Sequence, residues 1–216
     1  MVGNAGRFED YAAWLSQSYV DIQNRRNCHW RWLRRTFTIS TTSGVGTYAF
    51  GACTDVIDAA PISRFNSWRI NDPEDPPKLF LASSGVGTEN RLIWQEWDWF
   101  KHLYEIGTQN NGYPAHVTSN PQDKLQLGPK PNGVYTVTGD YWRSPQIMAD
   151  DSDPNTATPE MPVQFHKLIV YEAMIHYGFQ QVANEVLARA ERFTSRLTRQ
   201  LENNQFPKFK QGIPLA

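Results

Sequence analysis

The hydrophobic period changes twice along this chain. Residues 7–23, RFEDYAAWLSQSYVDIQ, place Phe8, Tyr11, Ala12, Leu15, Tyr19 and Ile22 at three- and four-residue steps. That spacing gathers apolar side chains on one face and predicts a helix. Residues 24–35, NRRNCHWRWLRR, read as a second short helix. TFTISTT (36–42) then alternates, with Phe37 and Ile39 on one face. It predicts a strand that opens a hairpin with TYAF through the turn SGVGT. Short apolar or alternating runs follow at 67–70, 78–81, 91–94, 115–118, 124–127 and 133–141, separated by Gly, Pro and Asn. They predict a small sandwich or barrel-like sheet. DWFKHLYEIG (98–107) interrupts this pattern and predicts a short helix, capped by Asp98 and stopped by Gly107.

The helical period returns after an acidic, proline-rich elbow. Pro162 suits a first helical turn, and VQFHKLIVYEAMIHY (163–177) is apolar on most sides, which predicts burial. Gly178 is expected to bend or break the run. Val182, Val186, Ala190, Phe193, Leu197 and Leu201 then form one stripe, ending near Asn203–Asn204. The tail 205–216, QFPKFKQGIPLA, reads as an extended arm. The fold class expected is α+β: a helical bundle from the N- and C-terminal helices with an inserted antiparallel β region. The expected organisation is bundle helices at 1–35, the β region at 36–145 with its short helix near 98–107, elbow and bundle helices at 146–204, and the arm at 205–216.

Composition narrows the function. The 216 residues carry a net charge of −1, so bulk charge argues for neither nucleic acid nor membrane. No apolar run approaches the roughly 18 residues of a membrane span, and the opening MVGNAGRFEDY does not read as a signal peptide. The expectation is a soluble protein made in the cytosol. The two cysteines, Cys28 and Cys53, form no disulfide framework and no CxxC pair, and read as small buried hydrophobes. Eight Trp residues fit a ring-rich core or an interaction surface.

Recognisable catalytic chemistry is missing from the sequence. SGVGT occurs at 43–47 and 84–88, but neither copy continues as a phosphate loop or a dinucleotide fingerprint, so both read as hairpin turns. The histidines, His29, His102, His116, His166 and His176, show no HExxH. Glu172 and His176 read as a local hydrogen-bonded pair rather than half a metal site. Asp150, Asp151, Asp153 and Glu160 are the best metal candidates, but the loop lacks the glycine of a calcium-binding hand. The plainer reading places them ahead of a helix, where the macrodipole favours carboxylates. Arg25, Arg26, Arg31, Arg34 and Arg35 lie within eleven residues, beside Trp30 and Trp32. Such a mixture can hold a phosphate backbone, but a solvated helix face or a salt-bridged subunit interface fits the balanced charge better.

Together these pieces resemble the head-to-tail connector adaptors of tailed bacteriophages, also called head completion or tail-tube-proximal proteins. The carrying residues are densest in the C-terminal third: Tyr135, Tyr141, Trp142, Pro145, Met148, Asp150, Asp151, Asp153, Pro159, Met161, Pro162, Phe165 and His166, then LIVYEAM. The basic run RRNCHWRWLRR and the order NNGYPAHVTSN, KLQLGPKPNGVYTV extend the likeness over residues 7–205. The resemblance implies a non-enzymatic virion protein without cofactor or metal, at the head–tail interface. It implies a twelvefold ring under the portal protein that extends the DNA channel towards a tail or stopper protein. It further implies that a C-terminal arm bearing Phe206, Pro207, Phe209, Ile213 and Pro214 docks on the portal, and that the five arginines serve subunit, portal or DNA contacts. Two other classes compete. A carbohydrate-binding β-module with helical flanks would use Trp94, Trp97 and Trp99 to stack on sugars. An enzyme would need a nucleophile–base or metal constellation that the sequence does not display.

Overall fold

A computed structural model describes residues 5–148 and 158–206, with side chains from Asp10 onward. Among the described residues the helices are α1 (Ala5–Asn24), α2 (Trp97–Tyr104), α3 (His166–Gln180) and α4 (Asn184–Gln205). The strands are β1 (Arg34–Ser40), β2 (Thr47–Tyr48), β3 (Thr54–Asp55), β4 (Ala60–Pro61), β5 (Ser67–Arg69), β6 (Lys78–Leu81), β7 (Asn90–Arg91), β8 (Ile93–Trp94), β9 (His116–Ser119), β10 (Leu125–Gly128) and β11 (Tyr135–Trp142). The class is α+β, as the two hydrophobic periods require. The chain divides into a helical unit, residues up to Leu33 with those from Pro145 on, and a sheet unit, Arg34–Ser144.

In the helical unit α1 buries Ser18, Tyr19, Ile22 and Gln23. It does not pass into a second helix as the sequence suggested. Arg26, Asn27 and Cys28 take left-handed backbone angles, φ 57, 54 and 60°, which stop a right-handed helix at a cost of about 1–2 kcal/mol per residue. Two 3₁₀ turns, Arg25–Cys28 and Arg31–Leu33, take its place. The reversal lets the fully buried Trp30 fold back on α1. Its indole Nε1–H is shared between the Ile22 and Gln23 carbonyls, 3.1 Å from each. Those oxygens belong to the last turn of α1, where no intrahelical donor reaches them.

The expectation of a wholly buried run over 163–177 is only half met. Leu168, Ile169 and Ala173 are buried, whereas Val163 and Val170 are 78% and 50% exposed. Nor does Gly178 break the helix: α3 continues to Gln180, and the chain turns at Val182, φ 52°, an exposed residue outside the α4 stripe. Gly178 instead admits α4. A Cβ there would lie 3.1 Å from the Leu187 Cβ and 3.3 Å from its backbone N. Because backbone cannot rotate aside, Gly178→Ala is expected to destabilise by about 1–3 kcal/mol in urea unfolding. Unchanged stability would show that α3 and α4 separate at no cost.

The sheet unit holds two sheets. The larger runs β4-β3-β1-β11-β6-β7, with β5 also on β11; the smaller runs β2-β10-β9-β8. Their side chains share one core that includes Phe37, Ile39, Leu79, Val117, Leu125, Val137 and Tyr141. Three sequence expectations are corrected. The first concerns the hairpin of TFTISTT with TYAF. β1 pairs along its whole length with β11, and Thr47–Tyr48 joins the other sheet against β10. The first SGVGT is thus a crossing between sheets, while the second, with Gly85 at φ 69°, closes the β6–β7 hairpin. The second correction is that the run 91–94 splits between β7 and β8, with Leu92 buried between them and its N–H on the Pro77 carbonyl at 2.8 Å. The third is that the sheets are not purely antiparallel, since β8 and β9 are parallel. In α2 the capping position is Glu96, and Asp98 lies within the first turn.

Candidate assembly surfaces

The arginine cluster is the strongest polar feature of the sequence, and folding spends most of it internally. In the helical unit, Arg25 donates to Glu172 at 2.6 Å and to Thr198 at 3.2 Å, holding the exit of α1 against both α3 and α4. That takes up the Glu172 carboxylate, which the sequence paired with His176. Arg26 donates to Glu202 at 3.1 and 2.7 Å and lies 5.9 Å over the Phe206 ring. Arg26 is well exposed, so this pair contributes little stability; it serves to orient. Arg31 is exposed, with no acidic partner among the described residues.

Phe206 does not project as a free docking residue. It is half-buried and tilts against Trp30 at 5.2 Å, and Trp30 stacks on Trp32 at 4.9 Å. The start of the predicted arm is therefore clamped to the helical unit. Pro207, Phe209, Ile213 and Pro214 lie outside the described residues, as do Asp150, Asp151 and Asp153 of the acidic elbow. The two ends of that elbow are held, and by residues the sequence reading passed over. Gln23 accepts the Gln146 N–H at 2.8 Å and donates to the Gln146 carbonyl at 3.0 Å. On the far side, the Glu160 N–H reaches the Tyr19 hydroxyl at 2.9 Å. A buried glutamine on a helix's apolar face was the signal available for this. The same unit carries an apolar groove of about 410 Å³, lined by Tyr11, Trp14, Leu15, Val170, Met174 and Tyr177 among others.

In the sheet unit Arg34 and Arg35 open β1. Arg34 pairs with Asp140 and, at 2.6 Å, with Asp75; Arg35 lies 3.9 Å from Asp58. The five arginines are thus shared between the two units rather than forming one basic helix face. Within the sheet unit Asp55 is buried and accepts from the Tyr141 hydroxyl at 2.5 Å and from the backbone N–H of Ile57 and Asp58 at 2.8 and 3.1 Å. Burial alone pushes its carboxyl up, but these donors and Arg35 outweigh burial and hold it below the usual range. Tyr141 moves up for the complementary reasons, burial and the Asp55 carboxylate. Burial raises the Cys53 thiol to about 12, which leaves it inert. Tyr104 lies 2.6 Å from His116 Nδ1, and burial lowers the histidine and raises the tyrosine. Both stay neutral near pH 7, a structural bond rather than a nucleophile with its base. Trp94 and Trp99 are exposed, while Trp97 is half-buried and stacks towards Phe100.

Among the described residues no three His, Cys, Asp or Glu side chains gather as a metal site, and no helix is long and apolar enough to cross a membrane. What the surface offers is contact area. The family model described as SU10 adaptor protein matches residues 2–208. The chain belongs to that family. No curated protein matches it. Membership makes this chain a phage structural adaptor protein, in line with the resemblance carried by the elbow and its flanks. For a SU10 adaptor protein the relevant geometry is how each unit is braced internally and which faces it leaves open. Arg25, Arg26 and Arg34 belong to the bracing; Arg31, the groove and the exposed residues around Trp94 and Trp99 belong to the open faces.

Proposed function

We propose that the protein assembles as a ring, with a twelvefold one expected, that joins the portal to the tail and extends the channel through which DNA passes. On this reading it is made in the host cytoplasm and ends at the head–tail interface of the virion. Its neighbours there are the portal, a tail or stopper protein, and the passing DNA. The observation that carries the reading is the apolar surface left in solvent by a subunit of this family. Trp94, Trp99, Leu103 and Ile106 are 43–57% exposed within residues 94–106. Large exposed apolar side chains grouped along one segment suit an interaction site. Because Arg25, Arg26 and Arg34 are paired with carboxylates, phosphate contact would fall on Arg31, and residues past Phe206 would supply the arm for the portal.

The test is the mass and symmetry of the purified protein, alone and mixed with portal rings, measured by native mass spectrometry and negative-stain microscopy. A ring on the portal is the expected result. A chain that stays monomeric and ignores portal rings overturns the proposal. Removing residues 207–216, which leaves the Phe206 clamp in place, is expected to preserve the fold and weaken portal binding.

A further inference from the structure

Among the described residues, neither edge strand of the four-stranded sheet has an outer strand partner. An exposed edge presents unpaired backbone groups, and proteins blunt it with proline or charge. The seven-stranded sheet follows that rule: its end strands are β4, which contains Pro61, and β7, which carries Arg91. The four-stranded sheet ends on β2 and β8, which contain neither. On β8 the Ile93 and Gln95 N–H groups donate to Ala115 and Val117 at 2.9 and 3.0 Å, so the backbone groups of Trp94 between them face away from β9, towards an open groove that Asp72, Pro73 and Pro76 help to line. On β2 the Gly46 carbonyl accepts from Leu127 at 2.8 Å and Tyr48 lies opposite Leu125, so Thr47 turns its backbone groups outward.

The surroundings of the two edges differ in kind. In and just after α2, Trp99, Leu103 and Ile106 are 47%, 43% and 57% exposed, while Phe100 is buried. The segment thus buries Phe100 and leaves much of Leu103 and Ile106 in solvent, while the Trp99 ring is partly used, 5.8 Å from that of His116. It also carries Glu96, Asp98 and Glu105 against Lys101. The β2 edge is flanked by the exposed Val45 and Phe50, has no acidic residue from Thr41 to Ala52, and has the Lys130 side chain beside Gly46. Placing β8 against another β8 would bring carboxylates together. Placing it against β2 matches apolar surface with apolar surface and acid with lysine.

We infer that β8 of one copy pairs with β2 of the next, Trp94 against Thr47, while the exposed Leu103 and Ile106 cover Val45 and Phe50. The inference rests on the ring reading and gives it an interface. Two different edges make a heterologous, head-to-tail contact, the kind that closes into rings, and strand addition is a known mode of docking.

Two variants, Thr47→Cys and Trp94→Cys, test it when mixed under mild oxidation in conditions where the wild type assembles, alone or on portal rings. A disulfide-linked dimer is expected in the mixture and in neither variant alone, since the native Cys28 and Cys53 are both buried. Leu103→Glu, on an exposed position, is expected to raise the concentration needed for assembly at least tenfold in sedimentation, with unchanged circular dichroism. If the wild type forms rings but the mixture gives no cross-link, this interface is wrong and the ring reading stands. If the wild type forms no assembly with or without portal, both fall.

Discussion

Trp30→Ala is expected to lower the stability of the helical unit by about 3–5 kcal/mol. Trp30 is fully buried, its Nε1–H serves two carbonyls at the end of α1, and its ring supports both Trp32 and Phe206. Alanine would open a cavity, strip those carbonyls of their donor and release the residue from which the C-terminal stretch departs. Trp30→Phe separates the effects, because it keeps most of the packing and loses only the donor; about 1–2 kcal/mol is expected for it. Urea unfolding followed by circular dichroism reads both. An alanine variant within about 1 kcal/mol of wild type would mean that the left-handed run 26–28, not the indole, ends α1. The wild-type and Trp30→Ala chains should also differ in portal binding if the arm must leave from a fixed point.

Asp55→Ala is the second large effect, about 3 kcal/mol or more, because it leaves the Tyr141 hydroxyl and two backbone N–H groups without an acceptor inside the sheet core. The same residue makes stability depend on acid. Its folded carboxyl lies below the ordinary value of about 3.9. Its contribution is therefore fully present above the ordinary value and is lost as pH falls through the depressed folded value. In that window the unfolded chain binds more protons than the folded one, so stability rises with pH. Asp55→Asn is expected to be less stable at neutral pH and to show a flatter loss of stability between about pH 5 and the acid limit. Denaturant titrations at successive pH values check this. An acid limb as steep as wild type would assign the effect to other carboxylates.

How much was legible depended on whether the deciding contact was local. α1, the short helix near 98–107 and the two C-terminal helices follow from three- and four-residue spacing, a property of neighbours along the chain. β6 and most of β5, β9, β10 and β11 follow from alternation for the same reason. The misjudged points turn on partners beyond the three- or four-residue window of a periodic pattern. β1 looked like half of a hairpin with Thr47–Tyr48, but its register lies with β11, Thr36 opposite Asp140. Gly178 looked like a break because the approach of Leu187 cannot be seen from the residues beside it. NRRNCHWRWLRR looked helical because nothing local announces three left-handed residues without glycine; Trp30 reaching back to Ile22 and Gln23 stabilises them. The arginines looked like one patch because they are adjacent in sequence, while their carboxylate partners, Glu172, Glu202 and Asp140, come from far along the chain.

By itself, then, the sequence determined the α+β class, the placement of most elements, and the ordered set of residues from Tyr135 to His166 that resembles phage adaptors. Those are matters of period and order, which a linear chain carries explicitly. The tertiary structure decided which strands pair, which arginines are neutralised, that Phe206 is clamped, and that β2 and β8 remain the unblunted edges. Pairing and burial are settled by competition among all segments for the same core and the same hydrogen-bond partners, and no local stretch contains the outcome of that competition.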